Sequence, residues 1–201
     1  DKQSYGQGIA ASVRDELKKA NVDVALFEGI NAGDSDYSAV ITKLKSAGAD
    51  FVYYGGYHPE MGLLLRQAAE QGLKVRMMGP EGVGNPEINA IAGNAVEGML
   101  VTLPADPASK PENAALVKAF KDKGRDASGA FQMGAYTATQ VLAQSIKAVG
   151  DDAEKVADYL HKTTFNMPTG NVAWDAKGDL KAFDFPVYSW HKDGSKSVAE
   201  K

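Results

Sequence analysis

No cysteine occurs in the 201 residues, which excludes a disulfide scaffold, thiolate metal sites and cysteine nucleophiles. Histidine is scarce. His58, His161 and His191 are scattered, with no H-x-x-x-H pair and no carboxylate at ligand spacing, so no metal site is expected. His58 alone falls at a strand end, where the first turn of a helix is the simpler reading. No G-x-S-x-G elbow frames Ser4, Ser46 or Ser128, and no G-x-x-x-x-G-K-[ST] loop is present, so serine-nucleophile and P-loop chemistry have no support. Long apolar runs are missing too: Phe51 to Tyr54 and Met99 to Leu103 fall far short of the roughly 20 residues that cross a bilayer. Positive charge is not in excess. The formal net charge is −4 and no basic run offsets it, which argues against a nucleic-acid partner.

The 44% of hydrophobic and 24% of charged residues suit a globular chain with a buried core. Ile9, Val13 and Leu17 recur at helical spacing from Tyr5 to Ala20, and Val22 to Phe27 then reads as a strand. Asp36 or a neighbour can cap a second helix through Val40, Ile41 and Leu44, ended by Gly48, before the strand Phe51 to Tyr54. Pro59 opens a third helix, striped by Met61, Leu64, Leu65 and Ala68 and stopped by Gly72. The strand Val75 to Met78, a short helix near Pro86 to Ile91 and the strand Gly98 to Leu103 follow. Strands alternating with helices predict βαβ units, a parallel sheet and the α/β class.

Three prolines between Pro104 and Pro111 mark a linker or domain crossing. Beyond it helices are expected over Asn113 to Lys123, Ser128 to Val149 and Asp152 to Lys162, with Leu142 and Ile146 sharing one face of the second and Val156 and Leu160 one face of the third. Asn171 to Trp174 and Phe185 to His191 read as a hairpin or as two separate strands, and the last residues as frayed. The chain enters a helix directly after Asp1-Lys2-Gln3-Ser4, where a βαβ architecture expects a central strand. The expectation is therefore the back part of a longer protein, any export signal having been removed.

Ligands of an open α/β sheet bind at the carboxyl ends of its strands. Tyr57 follows the apolar run and paired glycines of Phe51 to Gly56. Glu81 sits on the constrained loop Gly79-Pro80-Glu81-Gly82 after the next strand. A phenol and a carboxylate at neighbouring strand ends suit a small molecule with an apolar and a cationic part, although each residue also reads as an ordinary loop side chain. Gly6-Gln-Gly8-Ile-Ala-Ala11, with Glu28 about 20 residues beyond, matches the dinucleotide fingerprint G-x-G-x-x-[GA]. Against it, Tyr5 and Gln7 put bulk where a pyrophosphate would approach, and the required preceding strand is missing. Asp34 with Asp36, and Asp151 with Asp152, read as helix caps rather than as acid–base pairs.

The segments Tyr53 to Met61 and Met78 to Gly82, together with Asp1 to Gly6, Ser128 to Phe131 and Trp174 to Lys181, closely resemble the leucine/isoleucine/valine-binding proteins of bacterial ABC importers. The resemblance covers essentially the whole chain and is more specific than any single motif. It implies the type I periplasmic binding protein fold, α/β with parallel sheets flanked by helices, here incomplete because the amino-terminal part of the family fold is absent. By the resemblance, residues 1–103 and 183–201 belong to the second, carboxyl-terminal lobe, lacking its first strand, and 104–182 to a portion of the first lobe. It further implies a non-enzymatic, cofactor-free capture of a branched-chain amino acid by lobe closure in the periplasm, with a membrane permease as partner and an amino-terminal segment or companion chain completing the protein. Glu81 would accept from the ligand ammonium, and Tyr5, Tyr57 and Phe131 would wall its aliphatic side chain. The runners-up are a binder or sensor domain for another amino acid or amide and, from a different class, an NAD-dependent oxidoreductase. Because most of the first lobe is absent, the 201 residues alone are expected to bind such a ligand poorly.

Overall fold

The computed structural model describes residues 1–127, 129 and 131–199. Its chain divides into two units, residues 1–103 with 186–201 and residues 104–185, and the return to the first unit falls at Pro186.

In unit 1 the apolar stripes become α1 (Ser4–Lys19), α2 (Ser38–Ser46) and α3 (His58–Glu70), followed by the short α4 (Ile88–Ala92). Each of the first three is stopped by a residue that tolerates the left-handed backbone: Asn21, Gly48 and Gly72, with φ of 57°, 66° and 67°. At α1 the Val22 N–H then closes back on the Leu17 carbonyl at 2.9 Å. The N-cap position of α2 is Tyr37, which makes no side-chain capping bond; just ahead of it the Asp36 carboxylate accepts from the Ser38 N–H at 2.8 Å, an Asx turn leading into the helix. The strands β1 (Phe51–Tyr53), β2 (Arg76–Gly79) and β3 (Met99–Thr102) pair in parallel. Two late strands, β6 (Val187–Trp190) and β7 (Lys196–Val198), extend the sheet antiparallel in the order β1-β2-β3-β6-β7; β4 and β5 lie in unit 2.

The core of unit 1 sits between this sheet and its helices. Met61, Leu64, Leu65 and Ala68 of α3 are buried with Met77, Ile88, Met99, Val101 and Trp190. Two buried polar side chains of α3 hold the loop ahead of α2. The Glu60 carboxylate accepts from Gly33 N–H at 3.0 Å, while Gln67 accepts from Tyr37 N–H at 2.7 Å and donates to Ser35 O at 2.9 Å. Burial of both is tolerated because both are hydrogen-bonded.

Unit 2 packs α5 (Ala114–Asp122), α6 (Gln132–Val149) and α7 (Ala153–Lys162) with the hairpin β4 (Phe165–Met167) and β5 (Gly170–Val172). Its core is Val141, Phe165 and Met167, against which Tyr159, Leu160, Val172 and Trp174 pack. The Asp152 carboxylate caps α7 by accepting from Lys155 N–H at 3.0 Å. The expected start of α6 at Ser128 lies outside the described residues.

Three sequence expectations change here and one open alternative is resolved. Val22 to Phe27 is not a strand, since a strand exists only through its ladder and this segment has none. Of the two readings for the segments near residues 171 and 187, two separate strands is the one that holds: Gly170–Val172 turns back on Phe165–Met167, whereas Val187–Trp190 joins the sheet of the other unit. The chain end is not wholly frayed, because Lys196–Val198 is a sheet strand; Glu200 and Lys201 lie outside the described residues. On α6 the packed face is Met133, Thr137, Val141 and Ser145, while Leu142 and Ile146 are exposed. Small polar residues can occupy that face because Ser145 satisfies its hydroxyl on the Val141 carbonyl at 2.8 Å and Thr137 bonds to Thr169 at 3.2 Å.

Candidate functional site

The parallel strands β1 and β2 end within one residue of each other in register, Tyr53 opposite Met78. Side chains delivered just past their carboxyl ends therefore meet. Tyr57 is the residue from which α3 starts, and Glu81 opens a single 3-10 turn, Glu81–Val83, behind Pro80. Tyr5, in the first turn of α1, comes to the same place.

The three converge. The Tyr5 hydroxyl donates to Glu81 Oε1 at 2.9 Å, and the Tyr5 and Tyr57 rings lie tilted at 34° with centroids 5.3 Å apart. Tyr57 remains 44% exposed, so the aromatic pair presents a face rather than being consumed by the core. Close backbone approach makes the convergence possible. A Cβ on Gly82 would lie 2.7 Å from the Gly56 carbonyl oxygen and 3.1 Å from the Tyr57 ring. A Cβ on Gly55 would lie 2.2 Å from the Gly6 carbonyl oxygen, and one on Gly6 would lie 2.4 Å from the Gly55 oxygen. The start of α1 thus rests directly on the loop after β1, with Tyr5 at its edge.

Electrostatics follow from burial beside a carboxylate. Burial and then the hydrogen bond to Glu81 hold the Tyr5 phenol far above its ordinary range. Tyr53, the last residue of β1, is pushed up to about 12 by burial and by the Glu81 charge. Tyr53 is thus a further phenol within the field of Glu81 that sequence reasoning did not single out. The signal available was its position: last in the strand, one residue removed from the glycine pair Gly55-Gly56.

A phenol whose folded-state pKa is raised favours the fold while it stays protonated. Its contribution is complete below the unfolded value near 10 and is lost as pH rises from there through the folded value. For Tyr53 that window runs from 10.0 to about 12. Denaturant titrations at pH 9 and pH 11.5 are expected to show a loss of stability that is smaller in Tyr53→Phe than in the parent chain. An equal loss in both would remove Tyr53 from the account.

Phe131 belongs to unit 2, preceding α6, and is 57% exposed. The dinucleotide reading loses its physical basis, because only Gly6 of the fingerprint is needed for close approach and its neighbour is the Gly55 backbone. A Cβ on Gly8 meets nothing within 4 Å. Glu28, its supposed ribose partner, pairs with Lys43 at 2.8 Å. His58 opens α3 and faces Glu87 at 3.3 Å, His161 meets the Asp175 carbonyl at 2.9 Å, and His191 lies 2.9 Å from both Glu97 and Ser197. Among the described residues no group of three or more histidine and acidic side chains could hold a metal ion.

A family model described as periplasmic binding protein matches residues 1–195. The chain is 58% identical over 198 residues to the leucine-, isoleucine-, valine-, threonine- and alanine-binding protein of Pseudomonas aeruginosa, spanning 98% of this chain and 53% of that one. It is 48% identical over 200 residues to the Leu/Ile/Val-binding protein of Escherichia coli strain K12, spanning all of this chain and 54% of that one. Among solved structures, a leucine binding protein from Thermotoga maritima superposes with a TM-score of 0.87 at 30% identity, covering 98% of this chain and 57% of the other. The chain spans about half the length of the curated relatives it matches.

Proposed function

This chain belongs to the periplasmic binding protein family, and on that premise we propose that it is part of a solute-binding protein that captures a branched-chain amino acid for an ABC importer. The observation that carries the reading is the cluster of Glu81, Tyr5 and Tyr57 at the carboxyl ends of β1 and β2. A carboxylate beside two aromatic faces supplies what a zwitterionic aliphatic ligand needs: a charge-assisted acceptor for its ammonium and an apolar wall for its side chain. Leucine, isoleucine and valine appear in the names of both curated relatives.

In this reading Glu81 accepts from the ligand ammonium, with Tyr5 holding the carboxylate in place. Tyr57 walls the side chain, and Phe131 contributes a further aromatic contact. Unit 1 belongs to the carboxyl-terminal lobe of the family fold and unit 2 to part of the amino-terminal lobe. The remaining parts of the proposal are a periplasmic location, a membrane permease as partner and no chemistry performed on the ligand.

Titration calorimetry with leucine on the full-length natural protein carrying these residues is the direct test. One-to-one leucine binding, with no heat from NAD, is expected. Binding to the 201-residue chain alone is expected to be at least about 30-fold weaker, the cost of leaving a buried charged group of the ligand without its partner. NAD binding without leucine binding would overturn the proposal.

A further inference from the structure

At the end of the sheet opposite β1, the β6–β7 hairpin carries a side-chain relay that the Glu81 cluster does not use. β6 ends at Trp190, the chain turns back, and β7 lies beside it with Ser189 opposite Ser197 and Trp190 opposite Lys196. Successive side chains of a strand point to opposite faces. Tyr188 and Trp190 are buried, so Ser197, in register with Ser189, is turned to the other face and is exposed. His191, just past the end of β6, is the diagonal neighbour of Ser197 on that face.

The imidazole of His191 joins two groups. Its Nε2 lies 2.9 Å from Ser197 Oγ and its Nδ1 2.9 Å from Glu97 Oε1, while the second Glu97 oxygen accepts from the Lys192 N–H at 2.9 Å. The His191 bond and then the Lys192 N–H hold the Glu97 carboxyl below its ordinary range, so it is ionised at neutral pH. An ionised carboxylate only accepts. In the neutral ring Nδ1 therefore carries the proton and Nε2 is left to accept from the Ser197 hydroxyl. Asn89 of α4 steadies the backbone here: its amide donates to the carbonyls of His191 and Lys192 at 3.1 Å each, and its oxygen accepts from Trp190 Nε1 at 2.7 Å. The neighbouring Ser195 is committed elsewhere, its hydroxyl donating to Asp193 Oδ1 at 2.6 Å.

We infer that Ser197, His191 and Glu97 form an acyl-transfer site for small carboxylic esters with a good leaving group, separate from the amino-acid site. Nucleophile, base and orienting carboxylate stand in the order that activates a serine, and such a set is identified by geometry and not by chain order. Ser197 Oγ bonds to the ester carbonyl carbon as its proton passes to His191 Nε2. The ester C–O bond then breaks and His191 returns that proton to the leaving alkoxide. Water next attacks the acyl-serine, with His191 taking the water's proton and giving it back to Ser197 Oγ as the acid leaves, so that ester and water become acid and alcohol. Glu97 is a positioning residue that fixes the ring and its tautomer. The oxyanion has a donor beside the nucleophile. The bonds His191 N–H to Ser195 O and Ala199 N–H to Val187 O make Ser197 and Ser189 a hydrogen-bonded pair, which turns the Val198 N–H to the open edge of β7. The assignment does not rest on the identity of the captured ligand.

The test treats the full-length natural protein with diisopropyl fluorophosphate, which traps an activated serine as an Oγ–P bond with loss of fluoride, and maps the label by peptide mass. Hydrolysis of p-nitrophenyl acetate is followed in parallel. Ser197 is expected to label faster than Ser195, two residues away and without an imidazole partner. Labelling of Ser197 in His191→Gln, and ester hydrolysis in both His191→Gln and Ser197→Ala, are expected to fall about 100-fold or more, the scale of a lost general base. Circular dichroism checks the fold of each variant without any ligand, and Ser197→Ala changes only an exposed hydroxyl. Leucine affinity in Ser197→Ala is expected to equal the parent's, which keeps this site and the amino-acid site distinguishable. Labelling of Ser197 no faster than Ser195, or ester hydrolysis undiminished in Ser197→Ala, would refute the assignment.

Discussion

Replacing Glu81 with glutamine is expected to weaken leucine binding by the full-length protein by about 30-fold to several thousandfold, the range spanned by 2–5 kcal/mol for truncating one member of a buried, hydrogen-bonded charge pair. The substitution keeps the size of the side chain and an acceptor oxygen for the Tyr5 hydroxyl, now at 2.9 Å from Oε1, so the fold should persist. What disappears is the negative charge opposite the ligand ammonium, and an ammonium withdrawn from water needs that charge far more than it needs another dipole. Tyr5→Phe separates the two effects. It leaves the charge but frees the carboxylate to rotate, and its loss should be much smaller, about 1 kcal/mol for one hydrogen bond. Calorimetry on the three proteins decides the matter: Glu81→Gln affinity equal to the parent's would remove Glu81 from the ammonium role.

The largest effect on stability is expected from Gly55→Ala. The added methyl would sit 2.2 Å from the Gly6 carbonyl oxygen and 3.1 Å from both Gly6 C and Ala10 Cβ. The nearest of these neighbours is backbone, so no rotamer change relieves the clash, and α1 must lift from the loop after β1. A loss of about 3 kcal/mol or more is expected, at the upper end of overpacking costs. Movement of α1 would also carry Tyr5 away from Glu81, so affinity should fall with stability. Gly8→Ala is the matched control on the same helix. Nothing lies within 4 Å of its added methyl, and alanine stabilises a helix interior over glycine by roughly 0.5–1 kcal/mol. Urea denaturation of both variants checks the pair. Gly8→Ala being the more damaging of the two would reinstate the phosphate-binding reading of these glycines.

Much of this chain is legible without coordinates because local rules act within a few residues. The helical stripes, their stops at Gly48 and Gly72 and the cap at Asp152 follow from periodicity and backbone sterics, and the structure places them there. The same locality put Tyr57 and Glu81 at strand ends. The α1 glycines were ambiguous for the opposite reason: G-x-G-x-x-A describes both a phosphate cradle and a helix packed on a loop, and only the Gly55 backbone over Gly6 distinguishes them.

Strand partners are the other limit. Apolar composition marked Val22 to Phe27 and Val187 to Trp190 alike, yet a ladder is a property of two segments distant in sequence. The second found β3 as its partner, whereas the first has none among the described residues. The sequence by itself determined the α/β class, the family and the residues offered at the strand ends, since those depend on local pattern and on resemblance along the chain. Tertiary structure alone decided that Tyr5 bonds to Glu81 across 76 positions and that Tyr53 stands in the same field. Each of these requires two or more remote backbones to be brought within a few ångströms, and no local rule reaches that far.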